Sequence, residues 1–256
     1  MYKIALAWIA AALVFSSPVQ AADTDKPTIV LVHGAFADGG SWNGVIKSLT
    51  KDGFRTVAVA NPLRGVKSDA GYLSSIIDSI KTPVVLVGHS YGGSVISVAA
   101  AGHTNVKSLV FVSAFAPDTG ESAATLSGKY PGSSLASALA EPVGLAGGGS
   151  DLYIDQKKFH QQFAHDVSRN EAALMAATQR PVTNAALDEP SGEPAWKTIP
   201  SWFIYGSGDK NIPPASMKFM ADRAGSKQTV VIPDASHVVM VSHPKAVADL
   251  IKKAAK

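Results

Sequence analysis

The chain contains no cysteine among its 256 residues. This absence excludes disulfide bonds, a thiol nucleophile and a zinc site with thiolate ligands. Charged residues are also sparse, at 17%, and the 23 lysines and arginines nearly balance the 20 acidic residues. The cations are scattered, apart from a short cluster at Lys252, Lys253 and Lys256. The sequence therefore predicts no basic groove for nucleic acid, and its stability must come from a hydrophobic core.

The first 21 residues have the pattern of a secretory signal peptide. Lys3 precedes an uncharged apolar stretch over 4–15, and Val19-Gln20-Ala21 follows with small residues at the two positions that a signal peptidase reads. We expect cleavage after Ala21 and a periplasmic or secreted protein with no stable membrane association. The apolar stretch is short for a membrane span, although an uncleaved N-terminal anchor is the alternative.

A G-x-S-x-G motif, Gly88-His89-Ser90-Tyr91-Gly92, carries most of the chemical information. It follows an apolar, β-branched run at 83–87 and leads into a helical pattern at 94–101. A strand that turns sharply into a helix needs small neighbours, and the glycines provide them. The motif predicts that Ser90 is an exposed nucleophile on such a turn. The alternative is a glycine-rich turn that contains an incidental serine.

Apolar runs alternate with helical patterns on both sides of this motif. Such alternation predicts an α/β fold with a mostly parallel sheet, helices on both faces, and a ligand site at the carboxyl ends of the strands. Strands are predicted at 28–32, 54–60, 83–87, 106–114, 202–205 and 229–232, and helices at 42–49, 69–80, 94–101, 215–224 and 245–254.

The alternation stops between residues 117 and 196. This segment is rich in alanine, glycine, serine and proline, and it contains helical patterns at 156–164 and 170–178 but no convincing strand. We interpret residues 117–196 as a helical lid inserted into a core formed by residues 22–116 and 197–256. The helices matter to this interpretation, because a structureless loop of that length would be unusual.

A serine nucleophile needs a base and an orienting carboxylate. Asp209 and His237 each follow a predicted strand, in the chain order that a nucleophile on a strand–helix turn predicts. Asp118 also follows a strand and is the second candidate for the acid, although Pro117-Asp118-Thr119-Gly120 is equally typical of a turn. The remaining histidines fit loop, surface or lid positions better: His33, His103, His160, His165 and His243.

A tetrahedral intermediate also needs hydrogen-bond donors for its oxyanion. The backbone N–H of Tyr91, directly after the nucleophile, is the first expected donor. The second is expected from the glycine-rich loop 33–40 after the first strand, where Ala35 is favoured and Phe36 is the alternative.

Together these motifs resemble the α/β-hydrolase superfamily, and within it the branch of small serine esterases, plant methylesterases and hydroxynitrile lyases. The resemblance covers essentially the whole chain after residue 21. It implies a triad of Ser90, His237 and Asp209, an oxyanion hole at Ala35 and Tyr91, no cofactor or metal, and a sheet of about six strands. The residues that carry it are His33-Gly34-Ala35 with Trp42, Gly88 to Gly93, Gly206-Ser207-Gly208-Asp209 and Ser236-His237-Val238-Val239-Met240.

The resemblance also narrows the chemistry. Epoxide hydrolases and haloalkane dehalogenases of this fold carry aspartate where this chain has Ser90. The similar hydroxynitrile lyases carry threonine after the loop histidine and lysine after the catalytic histidine, where this chain has Gly34 and Val238. We therefore expect an exported serine esterase whose partner is a small or medium ester or lactone. The alternatives are a ligand-binding or accessory protein with little turnover and a cofactor-free perhydrolase.

Overall fold

The computed structural model describes residues 26–256, so the predicted signal peptide lies outside the described residues. The strands are β1 Thr28–Val32, β2 Thr56–Val59, β3 Val84–His89, β4 Val106–Val112, β5 Val143–Gly144, β6 Ser150–Leu152, β7 Val182–Thr183, β8 Ser201–Gly206 and β9 Thr229–Ile232. The helices are α1 Asn43–Lys51, α2 Val66–Ser79, α3 Tyr91–Ala99, α4 Ala123–Ser127, α5 Leu135–Ala138, α6 Gln156–Phe163, α7 Arg169–Thr178, α8 Asn184–Asp188, α9 Pro214–Arg223, α10 Val239–Ser242 and α11 Pro244–Ala254.

Six strands form the main sheet, in the order β2-β1-β3-β4-β8-β9, and every neighbouring pair is parallel. Every residue of β1 and β3 is buried, which explains their continuous apolar, β-branched sequences. Val32 at the end of β1 pairs with Gly88 near the end of β3, so these carboxyl ends lie side by side. The predicted fold class and strand number are confirmed.

Helices cover both faces of this sheet. The connection from β1 to β2 contains α1 and leads to the strand on one side of β1. The connection from β2 to β3 contains α2 and passes β1 to the strand on its other side. Because both crossovers are right-handed, the two helices lie on opposite faces. Helix α1 packs against α11, and α2 packs against α3. Within residues 26–256, no helix has the length and apolarity that crossing a membrane requires.

The segment between β4 and β8 departs from the prediction in one respect. Helices α6 and α7 occupy the predicted positions, but β5, β6 and β7 form a small antiparallel sheet where no strand was expected. The expectation of a strandless lid is therefore wrong. Strands of two or three residues are too short to show an alternating pattern, and one partner of Asp151, Thr183, is distant in sequence.

Candidate active site

Ser90 lies on a strained turn between the last residue of β3 and the first residue of α3. Its backbone has φ 51° and ψ −123°, a conformation that is unfavourable for a residue with a side chain. A Cβ atom on Gly88 would lie 2.6 Å from the carbonyl oxygen of Gly92, and one on Gly92 would lie 2.5 Å from that of Val32. The glycines of the motif are therefore required by backbone crowding, and the turn raises Ser90 at the carboxyl edge of the sheet.

Asp209 and His237 meet at the same edge. Asp209 follows β8, His237 follows β9, and both side chains are buried. Nδ1 of His237 lies 2.6 Å from Oδ2 of Asp209, while Oδ1 of Asp209 accepts hydrogen bonds from the N–H groups of Asn211 at 2.8 Å and Ile212 at 3.0 Å. Because a carboxylate can only accept, it assigns the ring proton to Nδ1 and leaves Nε2 of His237 available as a base.

The loops that carry this pair are locked together by their backbones. A Cβ atom on Gly206 would overlap the carbonyl group of Ala235, and the N–H of Gly208 donates to that carbonyl at 3.1 Å. The N–H of Asp234 donates to the hydroxyl of Ser207 at 2.9 Å. The glycines around Asp209 therefore allow close contact between the two loops and fix the relative position of the acid and the histidine.

The imidazole of His237 packs against two rings. Its centroid lies 4.8 Å from that of His89 and 5.1 Å from that of Phe163, which belongs to α6 in the lid. Nε2 of His89 donates to the carbonyl oxygen of His237 at 3.1 Å. Burial holds the pKa of His89 well below its ordinary value, so this ring stays neutral. Sequence reasoning missed this role, because the first variable position of the G-x-S-x-G motif carries no pattern that indicates a partner.

The second candidate acid lies elsewhere. Oδ1 of Asp118 is 2.7 Å from Nζ of Lys197 at the surface, and this hydrogen bond lowers the pKa of Asp118. His33, in contrast, shapes the loop after β1: Nδ1 donates to the carbonyl oxygen of Gly34 at 2.9 Å, and Nε2 accepts from the N–H of Asn61 at 3.1 Å. Of the two acids considered, Asp209 is the one that contacts His237.

Two residues near Ser90 have backbone N–H groups without a hydrogen-bond partner among the described residues. They are Ala35 and Tyr91, and both residues line one cavity with Ser90 and His237. The N–H of Phe36, the alternative donor, is engaged with the carbonyl oxygen of Arg180 at 2.9 Å. Ala35 and Tyr91 are therefore the residues able to donate to an oxyanion.

The cavity has a volume of about 340 Å³. It lies between the carboxyl edge of the sheet and the lid, and its wall is mostly apolar. Among the described residues, no aspartate, glutamate, lysine or arginine lines it. The lining residues are Ala35, Phe36, Ser90, Tyr91, Phe115, Ala123, Ala124, Ser127, Gly128, Ser133, Leu135, Ala136, Leu139, Phe163, Leu187, Asn211, Ile212 and His237.

A larger cavity of about 590 Å³ also has Phe36 in its wall. It is more polar, with Asp38, Asp166 and Glu171 in its lining, but neither Ser90 nor His237 reaches it. The smaller cavity is therefore the one that can hold a reacting group. Within residues 26–256, no group of three or more histidine, aspartate or glutamate side chains is arranged to hold a metal ion.

Comparison with known proteins agrees with this geometry. The profile of a family described as "Alpha/beta hydrolase family" matches residues 29–250. The chain belongs to this family. This alpha/beta hydrolase is 26% identical to an alpha-hydroxynitrile lyase of Arabidopsis thaliana, with 88% of this chain and 95% of that protein covered. It is 25% identical to methylesterase 1 of the same plant, with 90% and 96% covered.

A solved structure has the same fold. The crystal structure of polyneuridine aldehyde esterase superposes on this alpha/beta hydrolase with a TM-score of 0.78 at 20% identity, and covers 90% of this chain and all of that one. The resemblance to the branch that contains plant methylesterases and hydroxynitrile lyases is confirmed. The family and its esterase members support ester hydrolysis in general.

Proposed function

We propose that this alpha/beta hydrolase is a serine esterase that cleaves a small or medium carboxylic ester or lactone through an acyl-Ser90 intermediate. One observation carries the proposal: Ser90, the buried Asp209–His237 pair and two unpaired backbone N–H groups meet at one apolar cavity. These are the groups that acyl transfer to water requires.

The proposed reaction has two steps. Oγ of Ser90 attacks the ester carbonyl carbon while Nε2 of His237 takes the hydroxyl proton. The tetrahedral intermediate collapses, the protonated imidazole gives its proton to the departing alcohol, and the acyl group remains on Ser90. Nε2 then takes a proton from water, hydroxide attacks the acyl-serine carbonyl, and the acid leaves as the serine regains its proton.

Two features lower the barrier in this proposal. The N–H groups of Ala35 and Tyr91 donate to the oxyanion, and each such donor contributes about 3–4 kcal/mol to transition-state stabilisation. The carboxylate of Asp209 keeps the proton on Nδ1 of His237 and stabilises the imidazolium formed in each step. The second feature is preorganised, because the two loops that carry Asp209 and His237 after β8 and β9 are locked together.

The cavity supports the substrate class. Its volume, about 340 Å³, is near the lower end of the usual range for small-molecule sites, about 300–1,000 Å³. Its wall offers no charged partner for an anionic or cationic acyl group, whose burial would cost several kcal/mol. An uncharged, mainly apolar acyl group of limited size is therefore favoured.

The relationship to a hydroxynitrile lyase does not extend to the two special groups of those enzymes. A Cβ atom on Gly34 would lie 2.6 Å from Cβ of Ser90, so no side chain fits there without movement. Val238, the residue after the histidine, is apolar and fully buried. Neither position can supply the hydroxyl or the cation that the lyases place beside a cyanohydrin.

The proposal includes export to the periplasm or the medium. The n-region, apolar stretch and small residues of 1–21 support it. N-terminal sequencing of protein recovered from periplasm or medium should begin at Ala22. A sequence beginning at Met1 would contradict cleavage, and recovery with the membrane fraction would indicate the anchored alternative.

The first experiment is hydrolysis of a p-nitrophenyl acyl series from acetate to longer chains by the wild type, Ser90→Ala and Ser94→Ala. Ser94 is a matched control, because it is a buried serine on the same helix and does not line the cavity. We expect the wild type and Ser94→Ala to be active, a decline with chain length, and no turnover by Ser90→Ala.

Three outcomes would contradict the proposal. Activity in folded Ser90→Ala would mean that Ser90 is not the nucleophile. Inactive but folded wild type that binds the acid product would favour a ligand-binding role. Peroxide-dependent perhydrolysis that exceeds plain hydrolysis would favour a perhydrolase.

A further inference from the structure

Asp69 is a charged residue in an unexpected place. It lies in the first turn of α2 and is only 1% exposed. Its carboxylate accepts hydrogen bonds from the hydroxyl of Tyr91 at 2.9 Å, from the N–H of Arg64 at 3.1 and 3.2 Å, and from the hydroxyl of Ser68 at 3.3 Å. Burial raises the pKa of this carboxyl group, so its ionised form is costly to keep. If this position served packing alone, an apolar side chain would be buried there at a lower free-energy cost than a carboxyl group.

The partner of Asp69 is the residue that carries an oxyanion donor. Tyr91 is the first residue of α3, directly after the strained Ser90, and its side chain is fully buried. The phenol of Tyr91 reaches from α3 to α2, while the residue also lines the cavity that holds Ser90. The bond to Asp69 therefore fixes the side chain of Tyr91, whose backbone N–H is the proposed oxyanion donor.

Asp69 is itself held from the lid. The backbone of Arg64 donates to Asp69, and the guanidinium of Arg64 bonds to Asp151 at 2.6 Å and to the carbonyl oxygen of Pro181 at 3.0 Å. The N–H of Thr183 donates to the carbonyl oxygen of Leu63 at 3.2 Å. The loop that supports Asp69 is thus tied to residues 180–183.

The same lid segment also reaches the other donor. The carbonyl oxygen of Arg180 accepts from the N–H of Phe36, the residue after Ala35. Residues 180–183 therefore hold both the loop that carries the Ala35 donor and the loop that supports Asp69. This arrangement connects lid docking to both sides of the oxyanion hole.

We propose that Asp69 is a positioning residue of the oxyanion hole, acting through the hydroxyl of Tyr91 on the Tyr91 N–H. The inference rests on the proposed esterase function and deepens it. A displaced donor weakens transition-state binding while ground-state binding in the apolar cavity is retained. Loss of the bond should therefore lower kcat by about 10- to 100-fold, less than complete removal of a donor, with KM changed by less than about twofold.

The test compares Tyr91→Phe, Asp69→Ala, Asp69→Asn and the double variant Tyr91→Phe/Asp69→Ala on the best p-nitrophenyl ester. Tyr91→Phe removes only the hydroxyl, so it carries the test even if Asp69→Ala does not fold. Asp69→Asn keeps a carbonyl oxygen that can accept from Tyr91 and should retain most of kcat. Ser108→Ala, which removes a buried bond of 2.8 Å to the carbonyl oxygen of Ala254, is the control for loss of stability.

A second readout separates positioning from a structural role. An alkylboronic acid forms a tetrahedral adduct on Ser90 and mimics the oxyanion, whereas the carboxylic acid product fills the cavity without it. Tyr91→Phe and Asp69→Ala should lower the affinity for the boronic acid by the same factor as they lower kcat. The affinity for the carboxylic acid product should not change. The double variant should be no worse than Asp69→Ala, because both changes remove one bond.

Several results would overturn the inference. A wild-type kcat in Tyr91→Phe would do so, and so would a loss of kcat in the double variant that equals the sum of the two single losses. The inference would also fail if Ser108→Ala, at the same stability as Tyr91→Phe, lost as much kcat. Failure of the proposed function looks different, because it would show as inactive wild type or as active Ser90→Ala. If the wild type is inactive, the affinities of wild type and Tyr91→Phe for the boronic acid still show whether the bond between Tyr91 and Asp69 positions the oxyanion donor.

Discussion

Replacing Asp209 with asparagine tests the assignment of the acid with an unusually well-defined expectation. Oδ1 of Asp209 accepts from the N–H groups of Asn211 and Ile212, so an asparagine must keep its carbonyl oxygen on that side. Its NH₂ group then faces Nδ1 of His237, 2.6 Å from the replaced oxygen. Two donors cannot share that contact, so the ring proton moves to Nε2, which can then no longer accept a proton from Ser90.

The structure allows the size of this effect to be stated. A triad histidine held in the wrong tautomer lowers kcat by about 10⁴-fold, equivalent to about 5.4 kcal/mol of transition-state stabilisation. The pair is fully buried, so water cannot replace the lost acceptor. We expect this loss in kcat for a p-nitrophenyl ester at neutral pH, with a melting temperature close to that of the wild type because the side-chain shape is retained.

Asp118→Asn is the matched control. Asp118 pairs with Lys197 at the surface, and such exposed pairs contribute about 0–1 kcal/mol to stability. Its kcat should stay within twofold of wild type. The reasoning would be refuted if folded Asp209→Asn kept more than a tenth of the wild-type kcat, or if Asp118→Asn lost as much.

Three further predictions concern packing and charge around the site. Gly34→Ala should lower the free energy of unfolding by about 1–3 kcal/mol and reduce kcat, because its Cβ would lie 2.6 Å from that of Ser90. Urea unfolding with parallel kinetics checks this, and wild-type values of both would contradict it. Phe163→Ala should cost about 3–5 kcal/mol in urea unfolding, because it empties a buried site beside the ring of His237, and a cost below 1 kcal/mol would show that the lid packs otherwise. The hydrogen bond from Arg223 lowers the pKa of Glu121 below its ordinary 4.5, so this pair stabilises the fold above that pH and the stabilisation is lost as pH falls through the lowered value. The melting-temperature difference between wild type and Glu121→Gln should therefore be largest near pH 7 and vanish in acid, whereas a constant difference would exclude an electrostatic origin.

The fold could be predicted from the sequence because its core strands are buried on both faces. Strands such as β1 and β3 are continuous apolar runs, and the turn between β3 and α3 carries its own glycine signature. Strand-end placement was also sufficient to expect Asp209 near Ser90, since parallel strands end at one edge of the sheet. These features are local in sequence, and local patterns record them.

The features that escaped prediction depend on contacts that only the folded chain makes. The short strand β6 exists only through pairing with β5 and β7, and its three residues show no periodicity. The sequence favours Ala35 as the second donor, but the alternative, Phe36, can be set aside only because the carbonyl oxygen of Arg180 accepts from its N–H. Asp69 resembles an ordinary acidic residue at a helix start, and its bond to Tyr91 becomes visible only when α2 and α3 are packed together.

The hydrogen bonds between residues 180–183 and the core have a consequence for which changes in length the lid can accept. The contacts of Arg180 with Phe36 and of Thr183 with Leu63 use only main-chain atoms. These two bonds therefore depend on the spacing between residues 180 and 183, and the hydroxyl of Thr183 adds a side-chain bond to the carbonyl oxygen of Arg64 at 3.0 Å. Insertions and deletions upstream, such as in the glycine-rich turn at 147–149, leave these two main-chain contacts in place. A lid transplanted from a relative should accordingly be joined before residue 180, with the last stretch kept in register.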